Sequence, residues 1–120
     1  MNDKIHKALG IFLDAMRPFV VSFLQQQFPN EPWEGLFFAR LKPARQTTWN
    51  QAMRAQGENQ SCMYFIDYNN LPDFAIGFKR ELGLEFENPD KANKFISYLQ
   101  ELKDIRNKCN HYQAFPWFIW

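Results

Sequence analysis

Histidine and cysteine are scarce in this chain, two of each in 120 residues, and glycine is held to five. Cys62 and Cys109 lack metal-ligand spacing, so neither a zinc pattern nor a disulfide framework is expected, and both thiols should be free. The glycines form no phosphate-cradling loop, and no Ser–His–Asp order appears. Neither cofactor nor metal is therefore expected. Charge of one sign is also lacking: the formal net charge is +1, which gives no global field to draw in nucleic acid. No apolar run reaches the roughly 20 residues of a membrane span, and the opening "MNDKIHK" leads into an amphipathic pattern rather than a signal-peptide core. A soluble, reducing, cytoplasmic setting without membrane contact is the expectation.

What is abundant is apolar and aromatic. Hydrophobic residues make up 46% and charged residues 22%, the balance of a globular chain, and residues 1–120 suit one domain with one core. Aromatics reach 18%, with 13 Phe and 4 Trp, so some rings are expected to cover a partner as well as a core. Charge is unevenly spread. From Gly35 to Gly57 the bases Arg40, Lys42, Arg45 and Arg54 meet no acid, whereas from Glu58 to Asp90 the acids outnumber the two bases Lys79 and Arg80. The basic stretch carries Trp49. It reads either as a track for a phosphate backbone or as a solvated loop and helix face.

Periodicity predicts an all-α fold, a single bundle of four to five helices. Ile5, Leu9, Phe12, Met16, Phe19, Val20, Phe23 and Leu24 recur at helical spacing over Asp3 to Phe28. Pro18 should kink this helix or start a second one. Glu34 to Leu41 reads as a short helix, "LKPAR" as a turn, and Gln46 to Gln56 as a helix ending at Gly57. "SCMYFIDY" is the one strand-like run. Asn70 is expected to cap a helix over Pro72 to Leu82 that stops at Gly83. "ENPDKANKF" is the clearest start signal: Asn88 caps, Pro89 takes the first position, and Asp90 favours the positive helix end. That last helix should run to about Gln113 on a stripe of Phe95, Leu99, Leu102, Ile105 and Cys109. The apolar tail "FPWFIW" is expected to pack back, pair with a second chain or open a further helix.

On the last helix, "RNKCNH" crowds Arg106, Asn107, Asn110 and His111. With Arg106 at zero, Asn110 falls near about 40°, Asn107 near 100° and His111 near 140°. The stripe residues Leu102, Cys109 and Ile105 occupy the neighbouring arc. This places the polar set at the edge of a packed seam. Such a set suits RNA cleavage without a metal, in which the 2′-hydroxyl is the nucleophile. A histidine near its ordinary pKa moves the proton, a guanidinium holds the phosphate, and an asparagine orients either. One helix supplies one His and one Arg, so an acid–base pair calls for a second copy about a two-fold axis. The bland alternative is a cationic helix C-terminus that merely complements the dipole.

The Arg106, Asn107 and His111 spacing resembles the signature of the HEPN superfamily, the α-helical "higher eukaryotes and prokaryotes nucleotide-binding" domains. "LQELKDIRNKCNH" is similar to its final helix. "ALGIFLDAMRPFVVSFL" and "LPDFAIGFKRELG" resemble the first and middle helices of the branch found in a yeast nuclear RNA-surveillance endonuclease and in bacterial defence-associated ATPases. The match is thinnest over Phe28 to Tyr64. The resemblance implies a dimerising helical domain whose two Arg–His motifs face one cleft. Many members are metal-independent ribonucleases of toxin–antitoxin, phage-defence or RNA-processing systems, while others are non-catalytic RNA-binding or assembly modules. Carried over, Arg106 would contact the scissile phosphate, His111 would be the acid–base residue, and Asn107 the polar helper. Cys109 and Asn110 depart from the branch, which usually has Trp and Ala there. The expected partners are RNA, a second copy of the chain, and an antitoxin or a fused or associated ATPase.

Arg40, Lys42, Arg45 and Trp49 are the further candidate RNA contacts, with Asn110 and Tyr112 beside the motif. Tyr112 would stack on a base or pack against the tail. His6 reads as a surface residue. Asp67 and Asp73 flank "YNNLP" and suit turn or capping roles better than a metal.

Overall fold

The computed structural model describes residues 2–56 and 61–114, with side chains for 3–56 and 61–109. Among these residues the chain is all-helical, with no strand. Six α-helices follow one another: α1 (Asn2–Gln27), α2 (Trp33–Ala39), α3 (Pro43–Gln56), α4 (Leu71–Gly77), α5 (Lys79–Glu85) and α6 (Pro89–Ala114). A single 3₁₀ turn, Cys62–Phe65, lies between α3 and α4.

α1 runs unbroken through Pro18, so the expectation of a second helix starting there is corrected. Pro18 is exposed. The carbonyl that its missing N–H leaves unpaired therefore faces water, and the break costs little there. α1 is also long and apolar enough, by composition, to cross a membrane, a length that the count of consecutive apolar residues overlooked. Its apolar face is nonetheless spent on the core: Leu9, Met16, Val20, Phe23 and Leu24 are all buried.

Pro43 opens α3 at its first position, where a missing N–H costs nothing, so "LKPAR" is a helix start rather than only a turn. The strand expected over "SCMYFIDY" does not form. Instead Ser61 caps the 3₁₀ turn by accepting from the Met63 N–H at 3.3 Å. Ile66 enters the core from extended backbone, and Tyr68 from the turn that follows. A lone strand would leave its backbone unpaired. Here Arg17 of α1 satisfies that backbone instead, donating to the Ile66 carbonyl at 3.0 Å and the Tyr64 carbonyl at 3.2 Å.

The helix expected over Pro72 to Leu82 is two helices, broken at Phe78, whose backbone sits at φ −115° and ψ 27°. The buried Phe78 ring packs on Phe74 and Phe28, and that burial holds the break. Asn70 makes no side-chain cap. Gly83 does not end the helix but lies buried within α5. α5 closes two residues later, with the Glu87 N–H bonded to the Leu84 carbonyl and the Asn88 N–H to the Gly83 carbonyl. This Schellman pattern puts Glu87, at φ 57°, where glycine is usual. The start of α6 is as expected, with the Asp90 N–H donating to Asn88 Oδ1 at 2.9 Å.

One hydrophobic core joins the helices. An aromatic chain runs through it from Phe23 to Phe74, Phe37, Trp49 and Phe65, with centroid spacings of 5.4 to 5.9 Å. Each such ring contributes about 1.5–3 kcal/mol by burial. Most described aromatics thus serve the core, while Tyr64 and Tyr98 stand exposed. α1 and α6 run antiparallel: Phe19 meets Phe95, and Phe12 lies beside Leu102.

Candidate functional site

α6 holds Arg106 half-buried, with Leu99 buried before it and Cys109 buried after it. On the helix wheel Leu99 falls about 20° from Arg106 on one side and Phe95 about 20° on the other. Leu99 is fully buried and Phe95 partly so. Arg106 therefore continues the buried stripe rather than standing beside it, which corrects the expected geometry. Ile105, assigned to the stripe, is 42% exposed.

The group that meets Arg106 in this half-buried position is Asp67, 39 positions away in sequence, with Nη2 at 3.5 Å from Oδ2. Its Nη1 lies 3.4 Å from Asn107 Oδ1. Both separations are long for charge-assisted contacts, which close to about 2.7–2.9 Å when tight. The guanidinium, with five N–H groups, is thus loosely held and has donors to spend on an anion.

Asp67 itself is fixed by its turn. Its N–H donates to Asn70 Oδ1 at 2.8 Å, and its carbonyl accepts from the N–H groups of Asn70 and Leu71. Asn70 therefore closes this turn in place of capping α4. Next to it, the buried Tyr68 hydroxyl donates to the Leu9 carbonyl at 2.6 Å. Burial pushes that hydroxyl up to about 12; Arg106 pulls it down and Asp67 pushes it further up. Tyr68 thus ties α1 to the floor beneath the Arg106–Asp67 pair.

A polar cleft of about 300 Å³ opens on the other side of Asp67, lined by Arg45, Thr48, Trp49, Ala52 and Phe65 with Asp67, Asn69 and Asn70. Asp67 Oδ1 and Asn69 Oδ1 are enclosed without a donor among the described residues. His6 of α1, expected at the surface, is half-buried, with Nε2 enclosed and unpartnered among the described residues. The antiparallel α1–α6 pairing brings the first turns of α1 to the C-terminal half of α6.

The basic stretch does not form one face. Arg40 lies over the Phe78 ring at 5.0 Å and covers Gly77. Lys42 gives its backbone N–H to the buried Asp73 at 3.1 Å, with Nζ 4.0 Å from the same carboxylate. Arg45 and Trp49 line the cleft, though Trp49 is only 6% exposed, too little for an open stacking face. Asp67 and Asp73 go to separate partners, and the described residues hold no cluster suited to a metal. Asn110, His111 and Tyr112 are carried on the α6 backbone, and their side chains lie outside the described residues. The tail after Ala114 lies outside them as well. Asn69 and Tyr68 were not singled out, whereas Asp67 takes the turn role expected of it. The only sequence signal for Asn69 and Tyr68 was polar residues inside an aromatic run.

No family model matches the chain, and neither a curated protein nor a solved structure does.

Proposed function

We propose that this chain is a metal-independent endoribonuclease domain of HEPN type, a single helical bundle whose long final helix carries the Arg-Asn-x₃-His motif. It acts as a homodimer in toxin–antitoxin, phage-defence or RNA-processing systems of the cytoplasm. The observation that carries this reading is the half-buried, loosely held Arg106 guanidinium on the packed seam of α6, with Asn107 at its side. In the reaction a histidine takes the proton of the RNA 2′-hydroxyl, and the oxygen attacks the adjacent phosphorus. The bond to the 5′-oxygen breaks, and that oxygen receives a proton from the second acid–base group. His111 of each copy fills these roles, and Arg106 holds the charge that builds on the phosphoryl oxygens. A dimer is favoured by an apolar hollow along α1 and α6, lined by Phe12, Tyr98, Leu102 and Ile105, with Ile11 and Tyr98 more than half exposed. An antitoxin or associated ATPase would be the further partner.

The test is RNA cleavage by His111→Ala and Arg106→Ala. Each is expected to lose at least a hundredfold in rate, the contribution typical of a general acid–base group or a charge-stabilising donor. Undiminished cleavage by either variant would remove that residue from its role.

One observation favours a second reading, a non-catalytic RNA-binding or dimerisation module: Asp67 already faces Arg106 and competes with a phosphate for it. Wild-type protein that binds RNA and cleaves none of a broad panel would favour the module.

A further inference from the structure

We propose that the apolar hollow along α1 and α6 receives Phe115–Trp120 of a second copy of this chain, so that each protomer's tail clasps its partner. The inference rests on the two-fold dimer of the ribonuclease reading and goes beyond it by naming what fills the hollow.

The receiving surface comes first. Two shallow apolar hollows, of about 320 and 290 Å³, meet at the shared residues Phe95 and Tyr98. Together they make one trough that runs along α6 from Ile105 back to Lys91, with Phe12 of α1 against one end and Phe86 against the other. Tyr98, Leu102 and Ile105 fall within about 60° of one another around the helix. Tyr98 and Ile105 are exposed although large and apolar, and a continuous apolar patch of this kind marks a contact surface. Lys91 and Lys94 edge its far end, and such cations pack well on aromatic faces.

The occupant comes second. Residues 115–120 read FPWFIW, four aromatics in six positions and no charge. Pro116 biases Phe115 toward extended backbone. In an extended segment Phe115, Trp117 and Ile119 share one side at intervals of about 6.6 Å, a row of three apolar anchors for a trough of apolar walls.

Reach comes third, and it selects the second copy. Six extended residues span about 20 Å, whereas on α6 Tyr98 lies about 24 Å from Ala114 and Lys91 about 35 Å. A tail folding back on its own helix also spends two residues or more on the reversal. It then covers about 13 Å and stops near Ile105, short of the trough. In the dimer the two motifs serve one phosphate, so the two-fold axis passes α6 between Arg106 and His111. An antiparallel α6 pair about that axis sets the partner's Ala114 beside Lys103. From there its tail runs on without a reversal, over about 13 helical residues, to the neighbourhood of Asp90. That path is the length of the trough.

The experiment traps the clasp between distinguishable copies of the full chain. All carry Cys62→Ser and Cys109→Ala, which removes both native thiols. One copy adds Lys94→Cys and the other Phe118→Cys, positions that the spacing above sets side by side. After mixing and exchange, a short bis-maleimide should join the two copies. Lys79→Cys, exposed on α5, should not join to Phe118→Cys. Sedimentation of chains with native cysteines is the second arm. Trp117→Ser and Tyr98→Ser should each weaken the dimer at least about tenfold, and the double variant should weaken it little further, because the two remove one contact. Failure to join mixed copies, a link formed within a single Lys94→Cys/Phe118→Cys chain, or a Trp117→Ser dimer of undiminished affinity overturns the proposal. A dimer that cleaves RNA but fails these arms removes the clasp and leaves the ribonuclease reading standing. A clasped dimer that cleaves no RNA does the reverse, and a strictly monomeric wild type removes both.

Discussion

Replacing Tyr68 by phenylalanine removes one oxygen atom from the floor of the site and should make two stability curves cross. At neutral pH the hydroxyl donates at 2.6 Å to the Leu9 carbonyl in a buried setting. Losing a bond of this kind costs about 1–1.5 kcal/mol. The same burial raises the hydroxyl from the usual 10.0 to about 12. Below about pH 10 the tyrosine is neutral in both folded and unfolded chains, so its contribution is fully present. Between pH 10 and 12 the unfolded chain releases the proton first, and folding loses stability as pH rises. At pH 11 that loss is about 1.4 kcal/mol, and by pH 12 it approaches 2–3 kcal/mol. The wild type should therefore be the more stable protein at pH 8, the two should be level near pH 11, and Tyr68→Phe should be the more stable one beyond it. Urea unfolding of both proteins at half-unit steps from pH 8 to 11.5 measures the difference directly, and the other tyrosines and the lysines cancel in it. Parallel curves, with a constant gap over that range, would refute the assignment of Tyr68 as a buried hydroxyl held neutral by its surroundings.

Phe74→Ala empties the junction of Phe23, Phe37 and Phe78, and chemical denaturation should register a loss of about 3–5 kcal/mol. Arg17→Met keeps the aliphatic stem but drops the bonds to the Ile66 and Tyr64 carbonyls; it should cost about 2 kcal/mol and speed amide exchange around residues 64–66. Glu87→Gly relieves the left-handed backbone at φ 57° and is expected to raise stability by roughly 1 kcal/mol; a drop in melting temperature would contradict that. Ile105→Glu puts a charge on an exposed apolar position of α6. If the proposed dimer forms through this face, sedimentation should find a dimer for the wild type and a monomer for the variant, while stability stays within about 0.5 kcal/mol of wild type.

Much of the local structure was written in short-range chemistry. The Asn88–Pro89–Asp90 start of α6 follows from capping and a fixed proline φ, both of which act within one helical turn. The α1 stripe follows from the 3.6-residue period. The errors fall where distant parts compete for the same residues. "SCMYFIDY" has the composition of a strand, but no second strand exists among the described residues, and Arg17 takes up the backbone carbonyls instead. Phe78 breaks a helix that its neighbours favour, because its ring is worth more in the core. Trp49 looked like a stacking platform and is largely consumed by packing between Phe37 and Phe65.

The site divides in the same way. By itself the sequence determined that Arg106, Asn107 and His111 ride one helix, since that depends only on helical geometry and a capping signal eighteen residues upstream of Arg106. It also determined the all-α class, through periodicity. Only the tertiary structure decided that Arg106 continues the buried stripe, that Asp67 meets it from 39 positions away, and that the basic stretch scatters over separate faces. Those outcomes depend on which helix covers which, and on which charged groups meet across the contact. Burial and charge pairing across the core set both, and neither quantity is local in the chain.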